Sequence, residues 1–206
     1  MGDDDLKFKH PFSCLVSGPS KSGKTSFCIR LLQNLDLRGG IICCYSEKTV
    51  VPKSEKLPLN TTYHEGVQEN FGGGGGKPRL VILDDVLNDV YSKQVCDLFT
   101  RGSYNRNISV ILIIQNLFNR SRYCRDISLN AHYMAALKNV GDKKQFAYLA
   151  NQVYPEDSLS IYNAYHDATQ NPHGYLILDL TQDTDDGLPF VTNIFPEEYP
   201  PVVYSE

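Results

Sequence analysis

Hydrophobic positions along the chain fall into short unbroken runs, separated by stretches in which apolar residues recur every three to four positions. The first run, Phe12 to Ser17, leads directly into Gly18-Pro19-Ser20-Lys21-Ser22-Gly23-Lys24-Thr25. Phe27, Ile29, Leu31, Leu32 and Leu35 follow at helical spacing, so the pattern predicts strand, glycine loop and helix, with Gly39-Gly40 ending the helix. Ile41 to Tyr45 reads as a second buried strand, and after the polar stretch 46–59 an extended segment runs from Thr61 to Val67. Leu80 to Leu83, closed by Asp84-Asp85, is a third central strand, and Val86 to Thr100 has helical spacing. Ile108 to Ile114 is rich in β-branched residues and reads as a fully buried parallel strand. Met134 to Leu137 adds a short strand, Lys143 to Val153 and Glu156 to Ala168 read as helices, and Tyr175 to Leu180 and Phe190 to Phe195 as late strands.

Strands that are apolar throughout, instead of alternating with polar residues, are covered on both faces. Interleaved with helices, they predict an α/β sandwich around a mainly parallel sheet. At 206 residues the chain fits one domain with embellishments: an N-terminal arm over 1–10 and an acidic tail over 197–206. A chain of this length buries roughly 70% of its unfolded surface and needs no disulfide framework. The run Gly72 to Gly76 is the one low-complexity segment. Five glycines make a flexible connector, and so pure a run reads as an engineered loop replacement or a native flexible loop.

Composition narrows the class. With 41% hydrophobic and 21% charged residues the chain is neither disordered nor fibrous. No apolar run exceeds Val110 to Ile114, whereas spanning a bilayer takes about 20 residues, so no membrane partner is expected. The acidic start Met-Gly-Asp-Asp-Asp-Leu-Lys carries no secretory signal core, which points to cytosol or nucleus. Cys14, Cys28, Cys43, Cys44, Cys96 and Cys124 form no C-x-x-C pair and often sit in apolar stretches, so they read as reduced, buried thiols. His10, His64, His132, His166 and His173 have no ligand spacing and read as structural or surface residues.

The net charge of -4 conceals a division. All 20 Lys and Arg, with 14 of the acids, lie in residues 1–144, a net +6; residues 145–206 hold ten acids and no Lys or Arg, a net -10. Such asymmetry suits a basic face for a polyanion, although an acidic terminus of no special meaning accounts for it equally well.

The chemistry lies in the glycine loop. G-x-x-x-x-G-K-T from Gly18 to Thr25 is a P-loop, whose backbone N–H groups close around phosphate oxygens where the helix dipole favours anions. Gly18, Pro19, Ser20, Lys21, Ser22, Gly23, Lys24, Thr25 and Ser26 form the nucleotide cradle. Lys24 would reach the β- and γ-phosphates of ATP, and the Thr25 hydroxyl would ligate Mg²⁺. Asp84 ends its strand at the edge where open α/β sheets bind ligands, and so becomes the second Mg²⁺ ligand. Asp85 would accept the proton of the attacking water. A turn or a helix cap is the simpler role of such a pair, and the upstream P-loop favours the catalytic one. Gln115 ends the Val110 to Ile114 strand, where it could sense the γ-phosphate or position water, or simply close the strand. Arg101, Arg106, Arg120, Arg122 and Arg125 flank that strand with no acid between Arg101 and Arg125, which suits phosphate contacts to a neighbouring subunit's nucleotide or to a nucleic-acid backbone.

Together, G-P-S-K-S-G-K-T, L-V-I-L-D-D, the block R-N-I-S-V-I-L-I-I-Q-N-L-F (Arg106 to Phe118) and S-L-N-A-H-Y (Ser128 to Tyr133) resemble the DNA-packaging ATPases of polinton-type transposons, adintoviruses and related viruses, in the FtsK/HerA division of P-loop ATPases. The resemblance runs from Pro11 to Pro196. It implies a RecA/FtsK-like P-loop NTPase fold and a Mg²⁺-dependent ATPase motor that threads double-stranded DNA into a preformed capsid. That motor would act at a portal-like vertex as a homo-oligomeric ring, pentameric or hexameric, in the host nucleus or cytoplasm or associated with virions. It also implies a catalytic glutamine at Gln115 and an arginine finger from the neighbouring subunit, with Arg106 the best positional match and Arg101 second. The chain departs from the family at Lys21, where relatives carry glycine, and at Gly72 to Gly76, where they carry a longer loop.

Two other classes fit the P-loop. A nucleotide or nucleoside kinase would use Arg120, Arg122 and Arg125 in a lid, but the paired Asp84-Asp85 suits water activation better. A non-hydrolysing assembly factor would keep the loop for structure, and intact Lys24, Thr25, Asp84 and Asp85 argue against it.

Overall fold

The computed structural model describes residues 8–35, 40–45, 60–68, 71, 78–84, 92–102, 107–117, 122–182, 190–198 and 200–204. Strand β1 (Ser13–Ser17) is buried throughout, and helix α1 (Lys24–Gln33) follows the glycine loop. Strands β2 (Ile41–Tyr45), β3 (Thr61–Glu65) and β4 (Arg79–Asp84) come next, then the short helix α2 (Lys93–Asp97), which runs on into a π-helical turn over Leu98–Gly102. After β5 (Ile108–Ile114) come helix α3 (Arg122–Leu129), strand β6 (Tyr133–Leu137), and helices α4 (Lys143–Val153) and α5 (Ser158–Ala168). Strands β7 (Tyr175–Asp179) and β8 (Phe190–Thr192), a 3-10 turn at Pro196–Glu198 and strand β9 (Val202–Tyr204) complete the described elements.

The strands form one sheet in the order β3-β2-β4-β5-β1-β6-β7-β8-β9. The first six in that order are parallel, and β7, β8 and β9 extend the sheet antiparallel. This is the mainly parallel α/β architecture expected, and the fold is that of the P-loop NTPases. Register assigns alternate residues of each central strand to opposite cores, because successive side chains leave a strand on opposite faces. Cys14, Val16, Leu80, Ile82, Ile111 and Ile113 pack with Phe27, Cys28, Leu31 and Leu32 of α1. Leu15, Val81, Leu83, Val110, Leu112 and Met134 pack with residues of α2, α3, α4 and α5 on the other side. All six cysteines are buried thiols outside any disulfide. No helix among the described residues is long and apolar enough to cross a membrane.

Several boundaries differ from expectation. Helix α1 stops at Gln33, before Gly39-Gly40, because Asn34 turns its side-chain amide onto the Arg30 carbonyl at 2.8 Å and its own N–H bonds Leu31 O at 3.1 Å, closing a tighter last turn. Of the helix expected over Val86 to Thr100, residues 86–91 lie outside the described residues. The described part begins only at Lys93, where the Ser92 hydroxyl accepts from the Val95 N–H, and it loosens into the π turn at Leu98. Helix α3 was not expected. Within the acidic tail expected over 197–206, the described residues 197–198 and 200–204 make specific contacts. Glu197 and Glu198 pair with Arg30 of α1 at 2.5 and 2.6 Å, and Val202–Tyr204 pairs with β8 as an edge strand. Gly72 to Gly76 and the arm residues 1–7 lie outside the described residues.

Candidate functional site: a phosphate loop at the carboxyl edge of the sheet

β1 delivers the chain into the glycine loop at the carboxyl edge of the parallel strands, where the next helix starts with its N–H groups facing outward. Gly23 is the N-cap of α1 at φ 103, and no side chain caps the helix, so its first N–H groups are open to an anion. Lys21 also takes positive φ (63), and the loop closes through Ser22 N to Pro19 O at 3.2 Å. Gly18 must be glycine, since a Cβ there would stand 2.6 Å from Ser22 Oγ and 3.0 Å from Leu137 Cβ. The Lys24 ammonium donates to the carbonyls of Gly18 (2.6 Å) and Pro19 (2.9 Å). Ser22 Oγ is buried and has no hydrogen-bond partner. Thr25 and Ser26 are exposed at the loop's mouth.

Uncapped N–H groups, an orphaned hydroxyl and a lysine resting on carbonyls fit a polyphosphate, which would satisfy all three. For Mg²⁺, Thr25 and Asp84 carry the oxygen donors that such a hard cation prefers, and they are the residues that would hold it. Asp84 ends β4, paired with Tyr45 on one side and Ile113 on the other. Strand β4 is separated from β1 by β5 alone and runs parallel to both, so Asp84 and the loop lie at the same edge of the sheet. Burial is the largest cause that holds Cys28 well above the usual thiol range, and burial assisted by Asp84 pushes Cys43 up to about 12. Neither cysteine is a nucleophile here.

Because β5 is inserted between β1 and β4, Gln115 at its end stands between the phosphate loop and Asp84. Ser20 Oγ donates to Gln115 Oε1 at 3.5 Å, and both residues are exposed. The structure thus brings Gly18 to Ser26, Asp84 and Gln115 to one edge. Asp85, Arg106 and Arg120 lie outside the described residues. The backbone of Arg101 is in the π turn, that of Arg122 opens α3, and Arg125 lies exposed on α3. Strand β5 runs parallel to β1, so Ile108, two residues after Arg106, lies at the edge opposite the loop.

One contact at the site was not anticipated. His173, between α5 and β7, places its Nδ1 3.0 Å from the carbonyl oxygen of Ser22. No spacing in the sequence signals a pair 151 residues apart.

Comparison with protein-family models and with curated proteins returns no match. Among solved structures the chain is similar to the DNA-packaging ATPase B204 of Sulfolobus turreted icosahedral virus, at 11% identity and a TM-score of 0.56, covering 86% of this chain and 96% of that one. It is also similar to the genome packaging NTPase B204 of Sulfolobus turreted icosahedral virus 2 in complex with ATP-gammaS, at 10% identity and a TM-score of 0.55 over 87% of this chain and 95% of that one. The AMP complex of the latter matches at 12% identity and a TM-score of 0.52, over 84% and 94%. At such identities the likeness shows the fold.

Proposed function

We propose that the chain is a Mg²⁺-dependent ATPase that drives double-stranded DNA into a capsid, of the kind used by polinton-type transposons, adintoviruses and related viruses. The observation that carries this reading is the insertion of β5, which sets Gln115 between the phosphate loop and the Asp84 carboxylate. A residue that positions water has to stand there, and the fold shared with genome packaging NTPases supports the same reading. Localisation in the host nucleus or cytoplasm, or with virions, belongs to this proposal. So do the homo-oligomeric ring and the portal-like partner.

The chain's own groups divide the work. The N–H groups from Gly18 to Ser26 bind the polyphosphate, and Lys24 exchanges the carbonyls of Gly18 and Pro19 for the β- and γ-phosphate oxygens. Thr25 and Asp84 would hold Mg²⁺, which neutralises phosphate charge when bound. Gln115 orients the attacking water, Asp85 accepts its proton, and Arg106 acts on the neighbouring subunit's nucleotide, with Arg101 the second choice. The single domain over 1–206 turns its basic part, residues 1–144, toward DNA.

The test is ATP turnover with and without double-stranded DNA, beside phosphate transfer to nucleoside monophosphates, with mass measured in ATP and in DNA. DNA-stimulated hydrolysis by a discrete ring is expected. Monomers that phosphorylate nucleoside monophosphates and ignore DNA would instead establish a kinase.

A further inference from the structure

We propose that His173 is a positioning residue of the phosphate loop, aiming the Gly23 N–H at bound phosphate through a hydrogen bond to the Ser22 carbonyl. The proposal rests on the nucleotide reading of that loop. Nδ1 of His173 lies 3.0 Å from Ser22 O, and a carbonyl can only accept, so Nδ1 carries the proton and donates. The peptide between Ser22 and Gly23 is planar and trans, so its N–H points away from its C=O. Anchoring the Ser22 carbonyl therefore fixes the direction of the Gly23 N–H. Ser22 precedes the helix, whose first backbone bond here is Phe27 N to Gly23 O at 2.8 Å, so the α1 ladder does not set this peptide's orientation.

The imidazole also restrains Gly23 sterically. A Cβ on Gly23 would stand 3.1 Å from His173 Nδ1, and Gly23 already takes φ 103, so ring and loop fit only around glycine. His173 is itself held at φ 62, a left-handed conformation better suited to Asn or Gly. The turn that presents it is fixed from both sides. Lys138 Nζ donates to Gln170 O at 2.5 Å, Lys138 N donates to Gly174 O at 2.9 Å, and a Cβ on Gly174 would meet Ala168 O at 2.4 Å. Since β6, which ends at Leu137, pairs with β1, the loop receives support from its neighbouring strand as well as from its own helix.

Three variants of the full chain separate this role from space filling. His173→Gly removes the donor and suits φ 62, so its fold is undisturbed; His173→Asn also suits φ 62 and offers an amide N–H where Nδ1 stood; His173→Gln carries its amide one bond too far. Affinity for ATP and for inorganic tripolyphosphate is read for each, alongside the thermal midpoint. His173→Gly and His173→Gln should weaken both ligands by a similar factor, about threefold to tenfold, the value of one net hydrogen bond, with His173→Asn within about twofold of wild type. Folded His173→Gly with wild-type affinity for both would overturn the proposal, and so would His173→Asn failing as badly as His173→Gly. A wild type that binds neither ATP nor tripolyphosphate would overturn the nucleotide reading itself, a result distinct from wild-type binding that the variants leave unchanged.

Discussion

The ammonium of Lys24 lies 2.6 Å from the carbonyl oxygen of Gly18, so the cation of the phosphate loop rests on the loop's own backbone. Its bonds to the Gly18 and Pro19 carbonyls are charge-assisted on the donor side alone, and phosphate oxygens would add the attraction of an opposite charge. Removing Lys24 therefore costs little in the fold and much in the complex. Lys24→Ala should weaken ATP by about 10- to 100-fold, corresponding to about 1.5–3 kcal/mol, while the thermal midpoint moves by only about 2–4 °C. Calorimetric titration decides it, and wild-type affinity in a folded variant would count against the site.

The carboxylates and Gln115 should separate binding from chemistry. Asp84→Asn should raise the Mg²⁺ concentration needed for turnover, whereas Asp85→Asn should keep Mg·ATP and lose hydrolysis, because only the proton acceptor is gone. Gln115→Leu should also bind ATP normally and turn it over on the order of 10² times more slowly, as when one preorganised polar group is removed. Binding and single-turnover rates are measured separately. Equal loss of ATP binding in all three variants would defeat the division of labour.

How much of this was legible depends on distance along the chain. Ile108–Ile114 declares itself because every residue is buried, and Ile41–Tyr45 because all five are buried or half-buried, so the apolar run and the strand coincide. The α4 start is equally local, marked by Asp142 accepting from the Gln145 N–H. Helix α3 hid behind its arginines, since only Cys124, Ile127 and Ser128 of its described side chains are buried. Strand β9 hid because Val202 and Val203 are exposed on an edge three residues long. The phosphate loop reads from eight consecutive residues. The Ser20–Gln115 and Ser22–His173 contacts depend on strand order, which no local pattern encodes.

Arg30 ties the acidic end of the chain to the helix that carries the loop. It bonds Glu197 and Glu198 at 2.5 and 2.6 Å and lies over the Phe195 ring at 4.0 Å. The half-buried Glu198 pair contributes up to about 1 kcal/mol and the cation–π contact about as much, while the Glu197 carboxylate stands in solvent and is left out of the sum. Arg30→Ala should therefore lower stability by about 1–2 kcal/mol and the thermal midpoint by roughly 3–6 °C. Thermal melting checks this, and an unchanged midpoint would show that Arg30 does not hold the tail, leaving that to β9 and to bonds such as Tyr175 Oη to Glu198 and Tyr204 Oη to Asp167.

His132 gives the fold a pH dependence of known sign. Burial lowers its pKa, opposed by nearby Asp179, and its Nδ1 accepts from Ser13 N at 3.2 Å, which requires a neutral ring. Because the folded protein binds that proton less readily than the unfolded chain, stability is full above the unfolded value, about 6.5, and declines as pH falls through it toward the folded value. His132→Asn keeps an acceptor for Ser13 without titrating. Melting curves should show a smaller loss between pH 7.5 and 5.5 in this variant than in wild type, and parallel losses would remove His132 from the account.

Arg106 precedes Ile108 by two residues, and Ile108 opens β5 at the edge away from the phosphate loop. A seven-residue strand spans about 20 Å between its end Cα atoms, whereas two residues of chain reach about 7 Å, and an arginine side chain does not make up the difference. The role proposed for Arg106 is therefore one in trans, on a neighbouring subunit's γ-phosphate. A guanidinium supplied in trans accelerates phosphoryl transfer by about 10³ to 10⁵, so Arg106→Ala should bind ATP normally and turn it over very slowly. Mixed with Asp85→Asn, it should regain activity at interfaces where one subunit supplies Arg106 and the other Asp85. Mixed rings that stay inactive beside an active wild type would exclude Arg106 as the finger and move the test to Arg101.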